Sequence, residues 1–253
     1  MGARHVRNAT AGDVAAMAEL ADAKRRRYRD HARPFQVPAP NARAAHEAFL
    51  PRLLQWDAFS VLVHETASAV DGFVVAPFGA APPPFGEGSL FHVDDFVVAR
   101  DDEWPSRGGP LLLELCRRAR RDGLEQAIVV SGPASVDPAK VRFLRELGLA
   151  VAAEWWVKPV SPEATGDVPE QTGFAAEVGP APPVYDPGGP TCLALEIAAP
   201  AALADLERYA AAAGAVVVIV PVRVEAVALR GALERRGYEV ASEWYSAPTA
   251  ELV

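Results

Sequence analysis

Apolar and polar residues follow two different periods along this chain, and the period predicts where helices and strands lie. Near the start, four apolar residues recur at helical spacing behind a possible cap at Thr10 or Asp13; they are Val14, Met17, Leu20 and Ala21. A second helix is predicted over residues 42–54. The period then falls to two, which predicts a hairpin of strands over residues 59–65 and 72–78.

After this hairpin the pattern alternates between strands and helices. The Pro- and Gly-rich segment 79–88 predicts a loop. A strand follows at 89–98, with His92 and Asp94 on one face and Asp95 on the other. The next helix begins at Pro110 and ends at Gly123, residue types suited to a first turn and a C-cap. The series continues with a strand over 126–132, a helix over 137–148 and a strand over 150–159.

A second, shorter series repeats the end of the first. The phrase "RELGLAVAAEWW" (145–156) returns as "ERRGYEVASEWY" (234–245) without a gap. Around the second copy we predict a strand over 191–198, a helix over 200–213, a strand over 215–222, a helix over 225–236 and a strand over 238–248. The sequence therefore predicts a domain over residues 1–160 and a partial repeat over 191–253. The Pro- and Gly-rich residues 161–190 are predicted to link them, with one short strand near 174–178.

Charge and composition exclude several classes of function. The chain has 253 residues, half of them apolar, which is enough for a packed core. It carries 25 basic and 33 acidic residues and a net charge of −8, so we expect no nucleic-acid partner, whose phosphates would need neutralising. The basic run "AKRRRYR" (23–29) is predicted to be a solvated helix end.

Cysteine usage and hydropathy point to an ordinary reducing compartment. Cys116 and Cys192 share no CxxC spacing, and no His/Cys cluster indicates a metal site, so we expect two buried thiols and no metal. No uninterrupted apolar run approaches the ~18 residues of a membrane span. We therefore expect a cytoplasmic protein without a membrane partner.

The order of elements in residues 5–160 resembles the GCN5-related N-acetyltransferase (GNAT) superfamily. Four stretches carry the resemblance: "VRNATAGDVAAMAEL", "VLVHETASAVDGFVV", "FHVDDFVV…SRGGPLLLEL" and "VRFLRELGLAVAAEWWVK". It implies an α/β (α+β) fold with a mixed, mostly antiparallel central sheet flanked by helices, here followed by a smaller partial repeat. It also implies transfer of an acetyl group from acetyl-CoA, as co-substrate, to a primary amine of a small molecule.

The resemblance suggests where acetyl-CoA would lie. In the family, the strand matching 91–98 splays from its neighbour at a bulge, and the pantetheine arm adds to its edge. This implies contacts with Phe96, Val97 and Val98. The next loop and helix start bind the pyrophosphate, because free N–H groups and the helix dipole attract anions. The family loop reads Gln/Arg-x-x-Gly-x-Gly/Ala, which neither register of this sequence matches fully; the implied ligands are Ser106, Arg107, Gly108 and Gly109.

The resemblance leaves several candidates for the catalytic base and none for the usual catalytic acid. The base that deprotonates the amine could be His92, Asp94, Asp95 or, on the hairpin, Glu65. Leu144 stands where many family members have a proton-donating tyrosine. Alternatives therefore remain: a non-catalytic GNAT-fold protein for CoA sensing or protein interaction, or transfer from a longer acyl-CoA or a carrier protein. We expect a monomer or homodimer.

Overall fold

The structure is a computed structural model that describes residues 5–29, 34–67, 69–161, 168 and 170–252. Parts of the predicted first domain, linker and repeat lie outside the described residues. The first copy contains β1 (His5–Asn8), α1 (Val14–Tyr28), α2 (Ala42–Leu53), β2 (Phe59–Glu65), β3 (Val70–Ala81), β4 (Gly86–Val93), β5 (Asp95–Val98), α3 (Gly109–Arg121), β6 (Gln126–Ser131), α4 (Pro138–Glu146) and β7 (Ala150–Pro159).

The second copy also follows the predicted order. Its elements are β8 (Phe174–Gly179), β9 (Thr191–Ile197), α5 (Leu203–Ala212), β10 (Val217–Arg223), α6 (Val227–Arg235) and β11 (Glu239–Pro248). The predicted loop over 79–88 was wrong in part, because β3 continues to Ala81 and β4 begins at Gly86. Gly79 and Gly86 have φ angles of 88° and 78°, which let the chain twist and reverse with few residues in between.

All described strands belong to one sheet. Its order is β1-β2-β3-β4-β6-β11-β7-β10-β9-β8, and β5 pairs with β3 beside this path. The pairs β4–β6 and β9–β10 are parallel, whereas the other pairs are antiparallel. This confirms the mixed, mostly antiparallel sheet. Apolar residues of α1 and α2 pack on one face of β2 and β3, and those of α3 and α4 on the other.

The two copies exchange their last strands. β11, from the second copy, lies between β6 and β7 of the first, and β7 lies between β11 and β10. Tyr245 on β11 is therefore part of the first copy's hydrophobic core, and Trp156 on β7 is part of the second copy's. The predicted boundaries divide the chain by sequence, but the sheet and both cores run across them.

The repeated phrase meets itself where the exchanged strands pair. Glu154 on β7 is directly opposite Glu243 on β11. Trp156 Nε1 donates a hydrogen bond to Glu154 (2.9 Å), and the Tyr245 hydroxyl donates one to Glu243. Each Glu thus shares a face with the aromatic residue two positions on, as alternation predicts. Arg230 of α6 neutralises Glu154 through two bonds of 2.8 Å.

No helix of the described residues is long and apolar enough to cross a bilayer. Within the same residues, no three His, Cys, Asp or Glu side chains are grouped as metal ligands would be.

Candidate active site

A β-bulge at Asp94 divides the predicted strand 89–98 into β4 and β5. The Asp94 N–H donates to the Val75 carbonyl (3.0 Å), and Val75 is also the partner of Asp95, so two residues oppose one. β4 pairs with β6 only as far as Val93, opposite Val129. Beyond the bulge, β5 has β3 as its strand neighbour among the described residues. The sheet therefore opens between β5 and β6, starting at Asp94.

One edge of β5 faces this opening. The Ala99 N–H donates to the Asp71 carbonyl (2.9 Å), so the backbone groups of alternate residues, such as Val97, point to β3. The N–H and C=O groups of Phe96 and Val98 consequently point to the other side, toward β6. Residues 96–98 are at most 1% exposed, backbone included, so an extended ligand could add hydrogen bonds along this edge once the side chains across the opening, such as Lys140, move aside.

Lys140 of α4 lies across the opening. Its Nζ donates to the Val130 carbonyl on β6 (2.7 Å) and lies 5.4 Å from the Phe96 ring centre on β5. The residue is 1% exposed. Burial lowers the pKa of Lys140 well below its usual value, and the neighbouring Lys24 lowers it further. An amine that loses its proton easily therefore lies between the splayed strands.

The predicted phosphate loop is helical: α3 begins at Gly109, one residue before the predicted start at Pro110, and other helical turns precede it. A 3₁₀ turn (Asp101–Glu103) and a π turn (Trp104–Gly108) lead without interruption into α3. Trp104 is buried and stacks on Phe143 of α4, with ring centres 5.5 Å apart. The first helical turn thus carries three carboxylates, which suit the dipole but repel an anion.

Arg107, the implied phosphate ligand, is engaged within the protein. Its Nε lies 2.7 Å from Asp71 Oδ2 and its Nη2 3.4 Å from Glu103 Oε1. The other Asp71 oxygen is 2.6 Å from His64 Nδ1. Ser106 donates to the Glu103 carbonyl (3.3 Å). Gly108 and Gly109 lie in the helical segment, with Gly108 against the Trp104 ring. Phosphate binding by these residues stays a prediction.

Asp94 and Asp95 form an acidic pair at the mouth of the opening. Asp94 is exposed, and the Asp95 side chain is 36% exposed, although protein groups crowd both. Desolvation, and then the charge of Asp95, raise the pKa of Asp94 to about 7. Desolvation acts upward on Asp95 too, but the bond to His46 (Nε2 to Oδ2, 3.0 Å) and the positive charges of His46, Lys24 and Arg25 together outweigh it and lower the pKa of Asp95. Asp94 is thus suited to accept a proton near neutral pH.

The other two candidate bases have different surroundings. His92 must donate through Nδ1 to the Ala80 carbonyl (2.9 Å), and burial lowers its pKa. Glu65 accepts two bonds from Arg7 (2.8 and 2.6 Å), which also binds Asp13. His92, Asp94 and Asp95 therefore lie within four residues of each other around the bulge between β4 and β5. Glu65 instead belongs to an ionic cluster with Arg7 and Asp13 at the end of β2.

Several polar residues of the site were not predicted from the sequence. His46, from α2, is 3% exposed and contacts Arg25 of α1 (Nδ1 to Nη1, 3.5 Å), so the basic run at 23–29 is only partly a solvated face. Lys140 and Lys24 lie close enough to Asp94 for their positive charges to limit the rise in its pKa. Tyr185 comes from the predicted linker: desolvation raises its pKa, and the charges of Asp95 and Asp94 raise it further. Of these residues, only Lys24 and Arg25 lie in a segment whose charge was interpreted, the basic run at 23–29.

Leu144, at the position of the family's tyrosine, is fully buried in the first core. Asp137, just before α4, is also buried and accepts a hydrogen bond from the Tyr28 hydroxyl (2.9 Å). No proton donor stands at the Leu144 position.

Comparison with known proteins relates this geometry to one fold. No family model matches the chain, and no curated protein matches its sequence. A tandem GNAT protein from the clavulanic acid biosynthesis pathway aligns with 98% of this chain and 99% of its own, at 15% identity and a TM-score of 0.53. The PaiA N-acetyltransferase of Thermoplasma acidophilum, solved with coenzyme A, aligns with 59% of this chain and 91% of its own, at 11% identity and a TM-score of 0.47. The likeness to the tandem protein extends over both copies and shows a common fold.

Proposed function

From the tandem GNAT fold of this chain we propose that it is an N-acetyltransferase, which transfers an acetyl group from acetyl-CoA to a primary amine of a small molecule. One observation carries the proposal. The bulge at Asp94 opens the sheet and sets a carboxylate with a raised pKa at the mouth of the opening. A site that joins a strand edge, without a second strand neighbour among the described residues, to a proton acceptor suits an extended thioester and an amine.

The residues of the site have separate roles in this reaction. The backbone of Phe96 and Val98 would hold the extended arm of the acetyl-CoA, which supplies the activated acyl group. Asp94 takes a proton from the acceptor ammonium, so that the free nitrogen can attack the thioester carbonyl. Asp95, kept ionised by His46, attracts the cationic acceptor. With Leu144 in place of a tyrosine, the sulfur leaves as a thiolate, which is feasible for a thiol whose pKa is about 8.5.

A second candidate function is favoured by the segment before α3. Three carboxylates begin the helical segment, Trp104 fills the space beside Phe143, and Arg107 is ion-paired with Asp71. These features oppose pyrophosphate binding. A protein with this fold that binds no CoA and acts through protein contacts would have them.

Titration calorimetry and a thiol-release assay separate the two candidates. The proposed enzyme binds acetyl-CoA and releases CoA with an amine panel, whereas absence of binding at millimolar acetyl-CoA would leave the non-catalytic function. Asp94→Asn should lower kcat by about 10²- to 10⁴-fold, as expected on loss of a general base, with the acetyl-CoA Kd unchanged. Asp205→Asn is the matched control, because Asp205 forms its ion pair with Arg208 on the surface of α5. Full activity of Asp94→Asn would exclude Asp94 as the base.

The pH dependence provides a further check. Since the base must be deprotonated, kcat should rise as the pH passes about 7, the pKa of Asp94. The groups that act electrostatically on Asp94 are Asp95, His46, Lys140 and Lys24. The rise should disappear in Asp94→Asn.

A further inference from the structure

Part of the segment between the two copies packs against the residues that precede α2, the helix that carries His46 of the candidate site. Residues 184–186, here called the strap, pair with residues 37–39 of the connection between α1 and α2. The Ala39 N–H donates to the Val184 carbonyl (3.0 Å), and the Asp186 N–H donates to the Val37 carbonyl (2.8 Å). Farther on, the Val216 N–H donates to the Pro190 carbonyl (2.8 Å), which ties the segment to the start of β10. The strap is thus held at a defined place rather than left as a free linker.

Tyr185, at the centre of the strap, begins a row of aromatic rings. Its ring meets Phe35 edge-on (6.3 Å between centres), Phe35 lies 6.2 Å from Trp155, and Trp155 stacks on Trp244 at 5.1 Å. We call these four residues the aromatic row. Tyr185 is bridged to Pro38 just before α2, and His46 of α2 lies 3.0 Å from Asp95, so this end of the row is tied to the helix that contacts the acidic pair. Desolvation raises the pKa of Tyr185, and the charges of Asp95 and Asp94 raise it further.

The other end of the aromatic row contacts β4, the strand that leads into the bulge at Asp94. Trp244 lies 6.2 Å from His92, two residues before Asp94. Tyr185 and Trp155 remain partly exposed, whereas Phe35 and Trp244 are buried. The row therefore forms a wall that runs from the strap to the strand before the bulge, and the rings of Tyr185 and Trp155 are its partly exposed surface.

The wall offers apolar faces and few free polar atoms. Trp155 Nε1 donates to the Pro83 carbonyl (3.0 Å), and Trp244 Nε1 donates to the Ser242 hydroxyl (3.2 Å). The hydroxyl groups of a polyhydroxylated acceptor would be desolvated against this wall without gaining hydrogen bonds in return. A flat apolar body gains ring contacts, and a positive charge gains from both the aromatic faces and the carboxylates.

We propose that the acceptor is an arylalkyl monoamine and that Tyr185, supplied by the strap, determines this specificity by packing against the aryl group. The ammonium group lies at Asp94 and Asp95, and the aryl group lies along Tyr185 and Trp155. The inference rests on the proposed function for the reaction, but the selective binding that it predicts needs no transfer.

Calorimetry with 2-phenylethylamine and 2-aminoethanol tests the inference on the full chain. The wild type should bind 2-phenylethylamine about tenfold more tightly, as expected for an added ring contact. Tyr185→Ser should bring the ratio of the two affinities close to one, while Tyr185→Phe should retain it. Tyr209→Ser is the matched control, because Tyr209 packs edge-on against Phe174 in the other core and should leave the ratio unchanged. Near-UV circular dichroism checks that each variant is folded.

The outcomes separate this inference from the proposed function. Equal affinity for both amines in the wild type, or an unchanged ratio in folded Tyr185→Ser, overturns the inference. Acetyl transfer to both amines with equal KM also overturns it and leaves the proposed function standing. Selective binding of 2-phenylethylamine without any acetyl transfer supports the inference and contradicts the proposed function.

Discussion

A fragment that ends at residue 160 should not fold by itself. It lacks β11, which pairs with β6 from Gln126 to Ser131 in the complete chain. It also lacks two large side chains of the first hydrophobic core, Tyr245 and Leu252, which are 0% and 3% exposed. The fragment would therefore leave a hole in its core and an unpaired edge on β6, which favours aggregation.

The size of the effect follows from these contacts. Removing a buried aromatic side chain costs about 3–5 kcal/mol, and removing a buried leucine costs about 2–5 kcal/mol. Loss of Tyr245 and Leu252 together therefore costs about 5–10 kcal/mol. Since a whole domain is stable by only about 5–15 kcal/mol, this loss removes most or all of the stability of the fragment.

Urea unfolding of the fragment and of full-length variants measures the loss in free energy of unfolding. The fragment should show no cooperative transition by near-UV circular dichroism. In the full chain, Tyr245→Ala should lose about 3–5 kcal/mol. Tyr245→Phe, which keeps the ring but gives up the hydroxyl that donates to Glu243, should lose about 1 kcal/mol. A cooperative transition of the fragment, with an m-value suited to its size, would refute the reasoning and show that the first copy is an independent domain.

Two further substitutions test the packing around the site and at the strand exchange. Gly108→Ala sets a Cβ 2.6 Å from the Trp104 ring and should destabilise the protein by about 1–3 kcal/mol in thermal unfolding; no loss would mean that the ring can shift. Arg230→Met leaves Glu154, whose side chain is 10% exposed, without its cation and should cost about 2–3 kcal/mol. Arg208→Met breaks an exposed pair and should cost less than about 0.5 kcal/mol, so equal losses would contradict the role of burial.

Local patterning was a good guide to the elements and a poorer one to their ends. The strand at 89–98 was predicted, but its division at Asp94 depends on Val75 of another strand, which accepts a bond from Asp94 and is also the partner of Asp95. Pro110 looked like a helix start because proline fits a first turn. Helical structure begins earlier because Trp104 packs on Phe143, far along the chain.

The candidate site was predicted only in part for a similar reason. Asp94 and Asp95 could be identified because carboxylates are unusual inside a β-rich strand. His46 and Tyr185 could not, since α2 and the strap reach the acidic pair only after the chain has folded. Nothing in their local sequence distinguishes them from ordinary surface residues.

The sequence by itself determined that this protein has strands and helices in a repeated order, since periodicity reports which face of each element is apolar. It also showed that residues 145–156 and 234–245 are copies. Only the tertiary structure decided that each copy lends its last strand to the other. Backbone hydrogen bonds are the same for any partner strand, so the choice rests on which core accepts Trp156 and Tyr245.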